Sequence, residues 1–124
     1  LDPFSERLVG RTWLERIARF AGYGAAEASA RTEAALARVG MREDGAKRLG
    51  GMSKGMRQRM KLAQALLHDP EVLLLDEPFN GLDPVQRKAV IDLVRELGAG
   101  GRTVLLASHV LHEVESITDR VLLL

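Results

Sequence analysis

Four consecutive apolar residues, Val72-Leu73-Leu74-Leu75, run directly into Asp76-Glu77-Pro78, and this segment limits the possible folds more than any other. An apolar run without alternation reads as a strand buried on both faces, and hence as part of a parallel sheet covered by helices. Ligands of such sheets bind outside the carboxyl ends of the strands, where Asp76 and Glu77 would stand. Two acids in series can divide the work of metal-assisted nucleotide hydrolysis. Asp76 would hold Mg²⁺ through water, and Glu77 would orient and deprotonate an attacking water. A polar turn that merely ends a strand has the same local sequence, so the flanking segments decide between the two.

Downstream, Asn80-Gly81-Leu82-Asp83-Pro84 reads as a turn into a helix, with Asp83 as N-cap and Pro84 at the first helical position. The helix is expected over Pro84–Leu97, with Val90, Leu93, Val94 and Leu97 on one face and Gly98 closing it. Thr103–Ala107 is the next buried strand. A right-handed crossover would return it parallel to the first, bringing His109 to the same rim as Glu77. A short helix through Val114 and Ile117 and a third strand at Val121–Leu124 complete the expected alternation. The sequence contains neither internal repeats nor low-complexity segments.

Upstream the pattern is helical. Val9, Trp13, Ile17, Phe20 and Ala21 recur at helical spacing until Gly22-Tyr23-Gly24 breaks it, and this stripe reads as packing rather than as a binding surface. A second helix is expected over Ala25–Val39, with Ala28, Thr32, Ala35, Leu36 and Val39 inward and Gly40 as its stop. Met41–Gly51 reads as a polar connector. A further helix runs from Ser53 to Leu67 and ends at His68-Asp69-Pro70. The expected division is a helical subdomain over 1–69 and a sheet-containing unit over 70–124.

Lys47 to Lys61 contains six basic residues. Arg57 and Lys61 share a helix face and Arg59 points elsewhere, while the absence of interleaved aromatics removes any stacking platform for single-stranded nucleic acid. A solvated helix face is therefore expected. With 18 basic and 17 acidic residues the formal charge is +1, too balanced for bulk nucleic-acid binding. Cysteine is absent, which excludes disulfides and thiolate metal sites and fits a reducing compartment. His68 and His112 lack the shared-face spacing of a zinc site. No run approaches the roughly 20 apolar residues of a membrane span, and no signal peptide opens the chain, so a soluble protein is expected.

Taken in order, Met52-Ser53-Lys54-Gly55-Met56-Arg57-Gln58-Arg59, Val72 to Glu77, Gly81 to Asp83 and Ser108-His109 resemble the ATP-binding-cassette ATPases. The family's signature loop is matched by Ser53, Lys54, Gly55 and Met56, its second Walker motif by Val72–Glu77, its D-loop by Gly81–Asp83 and its switch histidine by His109. The resemblance covers essentially the whole chain and is nearest to the exporter branch. It implies the P-loop NTPase fold, here a partial α/β fold with a parallel sheet core and an α-helical subdomain. It also implies ATP and Mg²⁺ as ligands. Asp76 would bind metal, Glu77 would be the general base, and His109 would hold the γ-phosphate. Ser53, Gly55 and Asp83 would act across a head-to-tail dimer. Two departures stand out: Lys54 replaces the usual glycine and Met56 the usual glutamine.

The phosphate-binding loop is missing. It requires Gly-x-x-x-x-Gly-Lys-Ser/Thr between a strand and a helix, whereas Gly50 and Gly55 are followed by Met56-Arg57 after a connector. The sequence therefore reads as the carboxyl-terminal part of a cassette that has lost its front half, either in nature or by truncation. The complete protein is expected to be a cytoplasmic ATPase subunit, peripheral on the inner membrane face, energising export through a permease with a second ATPase subunit beside it. The alternatives are a soluble cassette ATPase of DNA repair or translation and a non-catalytic remnant offering only a signature surface.

Overall fold

The computed structural model describes residues 3–109, in which α1 (Pro3–Glu6), α2 (Gly10–Phe20), α3 (Ala25–Arg38) and α4 (Lys54–Leu66) precede β1 (Val72–Asp76), α5 (Pro84–Ala99) and β2 (Thr103–Ala107). The expected helix through Val114 and Ile117, the strand Val121–Leu124, and His112 lie outside the described residues. The chain divides between Asp69 and Pro70 into two compact units.

In the first unit α2 packs on α3, and both pack on α4. The inward stripe of α3 is the expected one, with Ala28, Thr32, Ala35, Leu36 and the C-cap Val39 all buried. Gly40 stops the helix at φ 68°, and Met41 N–H reaches back to the Leu36 carbonyl at 2.8 Å. This left-handed end satisfies a carbonyl that the terminating helix would otherwise orphan.

Helix α2 departs from expectation. Gly10, Leu14 and Ala18 form its buried stripe, whereas Trp13 and Ile17 are half-buried and Phe20 is 97% exposed. The reason is steric. A Cβ on Gly10 would come within 2.9 Å or less of the Cε atoms of Met52 and Met60, so the helix approaches its neighbours through its small residues. Trp13, Ile17 and Phe20 instead border an open cleft with Arg16, Ala21 and His68.

The connector between α3 and α4 is also more ordered than its composition suggests. It contains two 3₁₀ turns, Asp44–Ala46 and Leu49–Gly51, and buries Met41, Gly45 and Leu49. Gly10 N–H donates to the Lys47 carbonyl at 2.8 Å and Leu49 N–H to the Leu8 carbonyl at 2.9 Å, forming an isolated antiparallel bridge between Val9 and Arg48.

In the second unit β1 and β2 pair in parallel, Val72 opposite Thr103 through Asp76 opposite Ala107. Parallel pairing is what a crossover through α5 permits. The four residues on the inner face of α5, Val90, Leu93, Val94 and Leu97, are all buried as expected, and α5 packs on β2. Its end lies beyond the expected Gly98. The helix continues to Ala99, and Gly101 at φ 88° closes it, with Arg102 N–H bonded to the Leu97 carbonyl. An open site at Gly98 makes it tolerable inside the helix, while the left-handed turn falls where glycine carries no Cβ penalty.

One expectation about β1 requires correction. Leu73 and Leu75 are buried, but Val72 and Leu74 are 57% and 73% exposed. The strand is therefore covered on one face only. A sheet of two strands with one helix packed along it leaves its other face open among the described residues.

Candidate functional site

The sequence-derived site residues fall into two groups, one in each unit. In the second unit Asp76 ends β1, exposed to solvent and opposite Ala107 of β2. Glu77 follows with φ 48°, an unusual backbone for a residue with a β-carbon. Its N–H donates to the Ala107 carbonyl at 2.8 Å, and its own carbonyl accepts from Asn80 N–H at 3.2 Å. The strand pairing thus extends one residue past β1, and the tight turn after it directs the Glu77 side chain toward the end of β2.

His109 meets it there. The Glu77 Oε1 atom accepts the His109 backbone N–H at 3.0 Å and lies 2.7 Å from His109 Nδ1. Since an ionised carboxylate only accepts, this contact requires a proton on Nδ1. The outer nitrogen, Nε2, then accepts in the neutral imidazole and donates in the imidazolium. The structure accordingly brings Glu77 and His109 together, 32 positions apart in sequence, through the parallel register of β1 and β2.

Asp83 caps α5. Its Oδ1 accepts Gln86 N–H at 2.7 Å, and Gln86 Oε1 accepts Asp83 N–H at 3.3 Å, a reciprocal capping box completed by Pro84 at the first helical position. Pro78, Phe79 and Leu82 are buried, anchoring the loop between Glu77 and Asp83 from within.

In the first unit Ser53 is the N-cap of α4, its Oγ accepting Met56 N–H at 3.1 Å. Ser53 and Lys54 are exposed, Gly55 is buried and Met56 is half-buried. The amino terminus of this 13-residue helix carries unpaired N–H groups and the positive end of the helix dipole, a setting that favours an anion.

The basic residues along α4 do not form one solvated face. Lys61 is exposed, as expected. Arg57 is half-buried and donates from Nε to the Leu49 carbonyl at 3.2 Å and from Nη2 to the Gly50 carbonyl at 3.1 Å. Arg59 donates to the Gly40 carbonyl at 3.2 Å, at the end of α3. Sequence periodicity could not reveal these bonds, because their acceptors are main-chain carbonyls of segments with no period. His68 stacks on Tyr23 at 5.8 Å between centroids, and Arg31 lies 4.2 Å over the other partner of that stack, Tyr23, while also bonding the Leu67 carbonyl at 3.0 Å. These contacts fix the carboxyl end of α4 against α3, a role for His68 that its position in the sequence did not signal.

Among the described residues no group of three or more His, Cys, Asp or Glu side chains could hold a metal ion. Asp76, exposed at the end of β1, is a single carboxylate of the kind that Mg²⁺ carried with a nucleotide would take beside its waters and phosphate oxygens. Among the described residues, too, no helix is long and apolar enough to cross a membrane.

The geometry has counterparts among known proteins. A dimeric ATP-binding cassette, MJ0796, in a post-hydrolysis state bound to ADP and Pi, superposes with a TM-score of 0.79 at 22% identity, over 90% of this chain and 50% of that one. At that identity the likeness concerns the fold, and the α/β arrangement described above is that of part of a P-loop cassette. By sequence, the chain is 36% identical over 119 residues to the ABC transporter ATP-binding protein NatA of Bacillus subtilis (strain 168), covering 96% of this chain and 48% of that protein. It is 45% identical over 116 residues to the daunorubicin resistance ATP-binding protein DrrA3 of Streptomyces coeruleorubidus, covering 94% and 37%. It thus spans about half, or less, of the length of these curated relatives. The ABC transporter family matches residues 3–80, more than half of the chain and inclusive of both the Ser53 loop and the Asp76-Glu77 pair, and the chain belongs to that family.

Proposed function

We propose that this chain is the carboxyl-terminal part of an ATP-binding subunit that hydrolyses MgATP to drive export through a partner permease. Residues 1–69 would serve as its helical subdomain and 70–124 as the second half of its ATPase core. The observation that carries the reading is the Glu77–His109 contact at the carboxyl rim of the parallel strands. Supporting it are the exporter-type relatives, among them the daunorubicin resistance protein and a fluoroquinolones export ATP-binding protein of Mycobacterium tuberculosis (strain ATCC 25618 / H37Rv), 43% identical over 86 residues. The complete subunit would stand on the cytoplasmic face of the membrane, held there by the permease, and would pair head to tail with a second ATPase subunit.

The residues divide the chemistry as follows. Asp76 would hold the Mg²⁺ that accompanies the nucleotide, through water, and that ion would offset charge on the β- and γ-phosphates. Glu77 is the general base, oriented by its main-chain bond to Ala107 and by His109. With Nδ1 facing Glu77, His109 would present Nε2 to a phosphate oxygen. Ser53, with Lys54, Gly55 and Met56 at the amino end of α4, would meet the γ-phosphate held by the opposite subunit, and Asp83 would line the same dimer interface.

The test is Glu77→Gln in a complete subunit, made by joining this chain to the phosphate-binding half of a relative. Turnover is expected to disappear while MgATP binding persists, because the amide keeps the shape but cannot take the proton. Loss of binding together with turnover would mean that Glu77 serves the structure of the rim instead.

A further inference from the structure

Arg57 is one of three basic residues of α4, with Arg59 and Lys61, that the proposed reaction does not use, and its bonds single it out. Its guanidinium donates to two successive main-chain carbonyls, Leu49 at 3.2 Å and Gly50 at 3.1 Å. These belong to the 3₁₀ turn Leu49–Gly51, which is separated from the helix cap Ser53 only by Met52. Arg57 also closes the first turn of α4, its N–H donating to the Ser53 carbonyl at 3.0 Å. One residue therefore grips the chain on both sides of Ser53.

The opposite side of the turn is held equally closely. Leu49 N–H is bonded to the Leu8 carbonyl, and a Cβ on Gly50 would come 3.0 Å from the Glu6 carbonyl oxygen. Leu49 is 1% exposed and Met52 5%. The turn is thus pressed between the main chain of residues 6–8 and the guanidinium. A fork with two donors in fixed geometry suits two adjacent carbonyls in a way that a lysine ammonium does not. Both acceptors lie outside any α-helix or sheet ladder, so removing the fork leaves that side of the turn without its side-chain restraint while the contacts to residues 6–8 remain.

We propose that Arg57 is a positioning residue for the signature loop: its fork on the Leu49 and Gly50 carbonyls sets the approach of the chain to Ser53, and so the presentation of the Ser53 hydroxyl and the amino end of α4 to the nucleotide of the opposite subunit. The proposal rests on the functional reading above for what the loop meets, but not for the restraint itself. It reverses the expectation that Arg57, like Lys61, is a charge on a solvated face. Lys61, exposed on the same helix, serves as the control.

Two measurements test it. In this chain, amide hydrogen exchange of Arg57→Gln is expected to speed up about tenfold at Gly51 and Met52, whose N–H groups bond the Arg48 and Leu49 carbonyls, with Met60 and Ala63 unchanged; tenfold corresponds to about 1.4 kcal/mol of lost local protection. Arg57→Lys should fall between, and Lys61→Gln should have no effect. In the complete subunit carrying Glu77→Gln, Arg57→Gln should weaken ATP-dependent dimerisation about tenfold by gel filtration, leave the MgATP affinity of a single subunit unchanged, and be partly rescued by Arg57→Lys. Unchanged exchange at Gly51 and Met52 overturns the restraint regardless of family. Faster exchange with undiminished dimerisation, in a background where Ser53→Arg abolishes it, overturns the positioning role. If neither Arg57→Gln nor Ser53→Arg affects dimerisation, the signature reading itself has failed and takes this role with it.

Discussion

Glu77 combines a left-handed backbone, main-chain bonds to Ala107 and Asn80, and a side-chain oxygen held by His109. A residue with a β-carbon in that region costs about 1–3 kcal/mol and persists only where its surroundings over-determine it. Here the bonds to Ala107 and Asn80 do so. The neighbouring Asp76 is different, since it is exposed at the strand end and its backbone is ordinary extended chain. Asp76→Asn in the complete subunit is accordingly expected to leave the fold intact and raise the Mg²⁺ concentration needed for half-maximal ATP binding by about tenfold, the effect of removing one charge from the metal's shell. A titration of ATP binding against Mg²⁺ checks this, and an unchanged midpoint would remove Asp76 from the metal site. The position of Asp76 and Glu77 at the carboxyl end of β1 was legible in the sequence because the apolar run before them reads as a strand. The strained turn at Glu77 was not, because glutamate has no preference that announces it.

At the scale of elements, the Gly40 stop, the Asp83 cap and the inner faces of α3 and α5 were readable from local chemistry, whereas the end of α5 fell at Gly101 and not at the nearer Gly98. The inner faces of α3 and α5 and the Asp83 cap follow from periodicity and capping chemistry within a few residues. Replacing Asp83 with Ala should therefore cost about 1 kcal/mol in urea denaturation, whereas Asp83→Asn keeps an acceptor for Gln86 N–H and should change stability by only a few tenths. Equal losses for both would show that charge, not capping, is what α5 needs. The stripe of α2 was misread because periodicity weighs bulky residues, while the actual contact is made by Gly10 and Ala18, whose value is their small size. The connector at 41–51 was unreadable for a different reason. Its order comes from bonds to residues 8 and 10 and to Arg57, all made across distance in sequence and none leaving a local pattern.

For the whole molecule, the half-covered sheet and the absent phosphate-binding loop point the same way. Exposed Val72, Leu74 and Leu105 give the second unit an apolar face of the kind other elements cover in a complete α/β domain. The chain spans 48% of NatA and 37% of DrrA3, and no Gly-x-x-x-x-Gly-Lys-Ser/Thr occurs in its 124 residues. In the proposed function this chain would supply the signature loop and the Asp76-Glu77 rim but not the groups that grip the phosphates of its own nucleotide. Backbone amides of a glycine-rich loop and its lysine supply most of that grip. Titration calorimetry of the chain with MgATP tests the claim most directly. Binding no tighter than about 1 mM is predicted, and a dissociation constant of about 1 μM, some 4 kcal/mol stronger, would contradict it.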